Sequence, residues 1–358
     1  MDSPGQLISA PFEGVPPVFA GPPRFCGHGA AVLGRAKLGA EAWLGAYSVI
    51  RADGHDIRIG DGFHIGVHST VHIAHAVYPT HVGNRVSVGD YAVVHACEVG
   101  DDCIVEDGAT VLDGAVVGRG AIIERDAVVF PRARLAPGQR YAGVPAKAIG
   151  PVDPTELAAR HAGLRSRAVR VDCSDLADAP SITPATGARA FVAPGVHCTG
   201  RVALEEAANV WFGCALHGGE HGVRIGAGAN VQDNSFLYAI SGPLVIEPDA
   251  TIGHNVILRD CRVMSGALVG ISSSIAPGTV VEPESLVAAG STTTPGQVIS
   301  SGWLWAGRPA RRLRALDEAT RAMLREVPPV YRAYAAEFGA AFDGRRERTP
   351  ARVPTHAY

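Results

Sequence analysis

Along this chain the branched aliphatic residues keep a step of six. Val99, Val105, Val111, Val117, Ile123, Val129 and Leu135 form one unbroken series. Shorter runs upstream hold the same step: Leu38, Leu44, Ile50, then Ile59, Ile65, Val71, then Val82 and Val88. A small or acidic residue often follows the aliphatic, as in Val99-Gly100, Val105-Glu106 and Ile123-Glu124. A step of six is neither the helical period of about 3.6 nor the alternation of a simple strand. It fits a solenoid of short strands in which one aliphatic per strand points into a narrow prism and Gly, Asp or Asn makes each corner. Three such strands give a coil of roughly 18 residues, with coils stacked at about the 4.8 Å strand spacing.

The pattern then restarts. Ile225, Val231 and Leu237 are followed by Ile246 and Ile252, and then by Ile257, Val263, Val269, Ile275, Val281 and Val287. Ile59-Gly60 aligns with Ile225-Gly226, 166 residues on. His95-Ala96-Cys97 aligns with Arg259-Asp260-Cys261, and Gly143-Val144-Pro145-Ala146 with Gly307-Arg308-Pro309-Ala310, each 164 residues on. The expectation is a tandem duplication: a mainly β chain of two parallel β-helix domains, 1–150 and 189–315. A helical linker, 151–188, begins at Asp153-Pro154-Thr155-Glu156, with Pro in the first turn. A C-terminal helix and tail, 316–358, follow. The helical stretch of the latter, 316–343, is expected to break at Pro328-Pro329, and the basic tail from Arg345 to be disordered.

Composition narrows the function classes. The 32 Lys and Arg against 35 Asp and Glu leave a formal charge of −3, which excludes a binder that relies on neutralising nucleic-acid phosphates. No apolar run reaches the length of a membrane-spanning helix. The opening MDSPGQLISAPFEG lacks a basic n-region, so no secretory leader is expected. Seven Cys without a CxxC pair read as free thiols in a reducing, cytoplasmic setting. Cys97 and Cys261 align with one another on the solenoid wall and read as packed core thiols.

These hexapeptide runs resemble the left-handed β-helix shared by hexapeptide acyltransferases and γ-class carbonic anhydrases, and the closer match is the γ-class carbonic anhydrase group. The resemblance covers about residues 24–150 and again 190–315. That family shows an Arg-Gly-Asp element, an Ile-Gly, an Asn-Ile-Gln-Asp, and three separated His. Its members are trimers with metal sites between subunits, where the first and third His come from one subunit and the middle one from its neighbour.

Neither half carries the whole motif. In the first, Ile50-Arg51-Ala52-Asp53 keeps the Arg and Asp, His72 takes the first ligand position and His95 the third. Asp90 stands where the middle His belongs, and His64-Ile65-Gly66-Val67 replaces Asn-Ile-Gln-Asp. In the second, Asn230-Val231-Gln232-Asp233 is complete and Gly253-His254 keeps the middle His. There Tyr238 and Arg259 replace the outer ligands, and His217-Gly218-Gly219 replaces Arg-Gly-Asp. The resemblance therefore implies one metal site with Zn, or alternatively Fe(II) or Co(II).

Two arrangements stay open. If the halves meet as neighbouring subunits do in the family, His72, His95 and His254 form a three-His site, with Arg51 and Asp53 facing Gln232 and Asp233. A trimer of chains that stacks one ring of first halves on one ring of second halves would instead give His72, His95 and Asp90, with the second half metal-free. The implied activity is that of a hydratase or hydrolase in which metal-bound hydroxide attacks carbon dioxide or a related small electrophile, with His75 moving the proton. The expected assembly is a homo-oligomer, a trimer of two-domain chains, acting on a small molecule. Two other classes remain. One is acyl transfer from an acyl-CoA with His95 or His217 as base; the other is a non-catalytic scaffold. The plainest alternative makes His72 and His95 exposed residues of a His-rich surface that also holds His55, His64, His68, His75 and His81.

Overall fold

The computed structural model describes residues 6–168 and 183–346. Residues 1–5, linker positions 169–182 with Cys173, and the tail from 347 lie outside the described residues, so the expected disorder of the tail is not addressed.

Most strands are two or three residues long, and each pairs in parallel with the strand one coil later, as Val105 with Ile123 and Val111 with Val129. The six-residue aliphatics therefore stack above one another and fill a prism with buried side chains, one core per half. Left-handed coiling winds each half into a triangular solenoid. In the first prism two walls merge into one sheet because the strand Val49–Ile59 is long enough to turn an edge. One of its ends pairs with Thr70–His72 and the other with Thr80–Val82. The third wall of that prism has eight strands; the second prism has walls of seven, eight and five. Tight corners force left-handed backbone on several non-glycine residues, among them Tyr47, His68, Tyr91, Asn234 and Asn255.

Each prism is followed by a helix. The first, α1 (Pro154–Ala168), starts where expected: Asp153 Oδ1 accepts from the backbone N–H groups of Thr155 and Glu156 at 2.8 and 2.9 Å, an N-cap before a first-turn proline. It lies on the eight-stranded wall and buries Leu164 against Ile104 and Ile122. The second, α2 (Glu318–Arg346), runs through Pro328 and Pro329 as one helix, which corrects the expected break. The prolines remove two donors that would reach the carbonyls of Leu324 and Arg325. Packing on both sides offsets that loss, because Leu324 is buried before the prolines and Tyr331, Tyr334 and Phe338 after them. No described helix is long and apolar enough to cross a membrane.

The prisms meet along a seam with an apolar and a polar part. In the apolar part, α2 inserts Tyr331, Tyr334 and Phe338 between Phe12, Leu33 and Val49 of the first half and Phe191, Trp211 and Phe212 of the second. In the polar part, a corner of the second prism docks on a wall of the first. Asn234 donates to Thr70 Oγ1 at 3.0 Å, Thr70 donates to Asn255 Oδ1 at 2.8 Å, and Asn255 donates to the His68 carbonyl at 2.7 Å. Further along, Thr110 donates to Ser272 at 2.7 Å. Each buried polar group in this chain of contacts has a partner in the other half, which fixes the axial register between prisms.

Candidate metal centre

Parallel pairing sets the first part of the site. Arg51 pairs in register with His72, and His72 with His95, so three residues separated in sequence stand side by side on adjacent rungs of one wall. The second part comes from the docked corner. Val231 pairs with Ile252, and two residues beyond them Asp233 and His254 stand next to each other. The seam brings the two parts together.

Three ring nitrogens converge there. His72 Nδ1 lies 3.3 Å from His95 Nε2 and 3.1 Å from His254 Nε2, and the ligand atoms of the three residues are all within 4.8 Å of one another. The outer nitrogens face carboxylates: His72 Nε2 is 2.8 Å from Asp53 Oδ1, and His95 Nδ1 is 2.6 Å from Asp113 Oδ1. His254 Nδ1 is 3.1 Å from Asp233 Oδ2, close in distance but off the axis of a well-directed hydrogen bond. A carboxylate at the outer nitrogen places the proton there and leaves the inner nitrogen as an acceptor.

Arg51 ties the constellation across the seam. Its guanidinium is fully buried, pairs with Asp53, and donates to Asp233 Oδ2 from Nε at 3.0 Å and from Nη2 at 2.8 Å. It lies 4.3 Å from the centre of the Trp211 ring, with Tyr331 on another side. Burial drives the His72 imidazole well below its ordinary range, and the Arg51 charge and the other two imidazoles push the same way. Burial likewise lowers His254 to about 4, although Asp233 pulls upward. Against the upward push of burial, Arg51 and His254 hold Asp233 below the usual carboxylate range.

These residues fit a divalent metal. Three neutral imidazoles with protons on their outer nitrogens turn three lone pairs toward one point, and hydrogen bonding cannot satisfy three facing acceptors. A shared cation does. Asp53, Asp113 and Asp233 against the single Arg51 also leave surplus negative charge around the imidazoles, which favours a dication. Three His with an open position is an arrangement that suits zinc, and imidazole donors also accept iron(II) and cobalt(II). The way in lies beside His95, whose side chain is 11% exposed, next to the 42% exposed Asp113; His254 has no exposure.

The other sequence candidates lie as follows. Asp90 is not among the converging groups: Oδ1 accepts from the Val67 N–H at 2.9 Å and Oδ2 pairs with Arg167 of α1, so a corner role and a helix contact occupy it. Gln232 donates to Asn230 Oδ1 at 3.2 Å and makes no hydrogen bond to the imidazoles among the described residues. His75 is hydrogen-bonded to Tyr334 of α2. In the second half His217 accepts from or donates to Thr199 Oγ1 at 2.8 Å and stacks on Tyr238, with Arg259 beyond. His64 and His68 are buried, not surface histidines, and Cys97 and Cys261 are buried as well. Sequence reasoning missed Asp113, Trp211, Tyr331 and Tyr334. Asp113 had a signal, since it follows His95 by one 18-residue coil; the three aromatics had none.

The fold and the convergent histidines define a hexapeptide-repeat left-handed β-helix protein with a three-histidine centre between two prisms. The chain belongs to the γ-class carbonic anhydrase family. It is 35% identical over 165 residues to gamma carbonic anhydrase 1, mitochondrial, of Arabidopsis thaliana, covering 43% of this chain and 60% of the relative. It is 37% identical over 153 residues to a carbonic anhydrase of Geobacillus kaustophilus, covering 42% of this chain and 82% of that protein. The chain spans about half to three-fifths of the length of the Arabidopsis relatives. A putative acetyltransferase from Desulfovibrio desulfuricans G20 has the same fold over 91% of this chain and 80% of its own, with a TM-score of 0.51 and 14% identity. No family model matches the chain.

Proposed function

We propose that the chain is a metal-dependent hydratase that adds water to carbon dioxide or a related small electrophile at the seam between its halves. The observation that supports this reading is the convergence of His72, His95 and His254 with a carboxylate beside each outer nitrogen. The three imidazoles would hold the metal, zinc in the first instance, and a metal so held brings the pKa of bound water toward neutrality. Asp53 and Asp113 keep the rings of His72 and His95 in the ligating tautomer, and Arg51 holds Asp53 and Asp233 in place and favours the charged form of Asp233. Hydration releases one proton as the water oxygen joins the carbon; His75, exposed and packed against Gly54, the chain neighbour of Asp53, is the group proposed to pass it to solvent. All three ligands come from one chain, so the catalytic unit proposed is the single chain, whatever homo-oligomer it forms.

Metal content and stopped-flow carbon dioxide hydration test the reading. One zinc, iron or cobalt per chain and a hydration rate abolished by His72→Ala support it. A protein prepared without chelator that carries no stoichiometric metal and hydrates no carbon dioxide overturns it, and acyl transfer from a thioester then becomes the reading to assay.

A further inference from the structure

The C-terminal helix α2 belongs to neither prism, yet it reaches the metal centre. Tyr331 and Tyr334, one turn apart, both turn toward first-half residues of the site. Tyr331 Oη lies 3.4 Å from Arg51 Nη2, and Tyr334 Oη is hydrogen-bonded to His75 Nδ1. The backbone makes room for the second contact at Gly54, next to Asp53, where φ is +109°. A Cβ on Gly54 would stand 2.3 Å from Tyr334 Oη and 2.4 Å from His75 Nδ1, so any side chain there would displace both. His75 itself opens an exposed turn, His75 to Val77, closed by the Ala74–Tyr78 bridge, where an imidazole would otherwise turn freely. Tyr334 is buried, with its ring packed edge-on to Phe12 and Tyr331.

We propose that Tyr334 is a positioning residue that holds the His75 imidazole in one orientation and one tautomer for proton transfer. This rests on the hydratase reading above for what the proton transfer serves, but the positioning itself does not. A hydroxyl suits the task because it serves both states of the ring. It donates to Nδ1 when the imidazole is neutral, leaving the proton on Nε2, and it accepts from Nδ1–H when the ring is charged. Nε2 is then the atom that gains and loses the proton in each cycle. Burial raises the Tyr334 phenol above its ordinary range, so the hydroxyl keeps its proton beside the ring. The site thereby depends on a residue 280 positions beyond Gly54, carried by a segment outside both repeats.

Tyr334→Phe removes the hydroxyl and keeps the packed ring. Nitrogen-15 NMR of the histidine side chains in metal-free protein reads the tautomer directly. The wild type is expected to show His75 as the Nε2–H form with a hydrogen-bonded Nδ1, and Tyr334→Phe to show averaged tautomers. In dilute buffer the metal-loaded Tyr334→Phe protein is expected to lose roughly as much of its hydration rate as His75→Ala, on the order of tenfold within the usual range for a proton-transfer group. Added imidazole is expected to restore both. An unchanged His75 spectrum in Tyr334→Phe overturns the proposal, and so does full activity of Tyr334→Phe alongside a slow His75→Ala. If the wild type hydrates no carbon dioxide, the hydratase reading fails while the spectrum still decides the positioning.

Discussion

The wall that carries Arg51, His72 and His95 and the wall that carries His217, Tyr238 and Arg259 have the same register, since each row pairs across consecutive rungs. Their fates differ. The first row is buried beneath a corner of the second prism and faces carboxylates from its own wall and from that corner. The second row is partly or fully open: His217 stacks on Tyr238, Arg259 is exposed, and Gly219 stands where the first row has Asp53. The corners differ in the complementary sense. That of the second prism offers Asp233 and His254, whereas the matching place in the first prism holds Val67 and Asp90, with Asp90 paired to Arg167 of α1. A row of candidate ligands on one wall is thus only half of a cluster, and among the described residues His72, His95 and His254 are the three that converge.

That comparison can be broken at its strongest point first. His254→Ala removes the imidazole that the corner supplies, and metal affinity is expected to fall by more than the roughly 10–100-fold typical of losing an outer partner; calorimetric zinc titration reads it. Arg51→Ala leaves Asp53 and Asp233 buried without their shared cation and is expected to cost about 3–5 kcal/mol in urea unfolding. Asp113→Asn keeps the shape beside His95 but weakens its hold on the Nδ1 proton, so zinc binding should weaken by roughly 10–100-fold with little loss of stability.

Acid should act on the covered parts more than on the open row. Burial lowers His64 to about 3 and His68 and His254 to about 4, so these rings are neutral in the folded chain. In the unfolded chain they protonate near 6.5. The unfolded state therefore binds more protons as pH falls from 6.5 to about 4, and stability, complete above 6.5, is lost across that window at up to about 1.4 kcal/mol per pH unit for each ring. Urea unfolding of metal-free protein between pH 7 and 4.5 should show this slope, flattened in His68→Asn and nearly kept in His217→Ala. The smallest expected effect sharpens the comparison most. Tyr238→His combined with Arg259→His restores two imidazoles to the open row but supplies no facing His or carboxylate, and the measured metal content should stay at one per chain.

Much of the fold was legible because a single rule repeats. One aliphatic every six residues has few ways to be buried, and the recurring Ile-Gly, Val-Gly and Val-Glu pairs marked the corners. Asp153-Pro154 likewise announced α1 through capping chemistry alone. At Pro328-Pro329 the local rule failed, because tertiary burial of Tyr331, Tyr334 and Phe338 outweighs two lost backbone bonds. His64 and His68 read as surface histidines for a similar reason: nothing local tells a wall position under α1 or under the seam from one facing water.

The sequence by itself determined the prisms, the rungs on which Arg51, His72 and His95 align, and the fact that each half lacks what the other retains. Periodicity and pairing register are local properties, and residues 18 to 23 apart inherit their neighbours from them. Which side chain joins His72 and His95 was a choice between His254 and Asp90 that no local pattern could make. The tertiary structure brings His254, not Asp90, beside His72 and His95, because the seam is set by contacts between residues some 160 to 190 positions apart, such as Thr70 with Asn255 and Arg51 with Asp233. The same holds for Tyr334 and His75: only the packing of a distant helix into the cleft puts that hydroxyl on that ring.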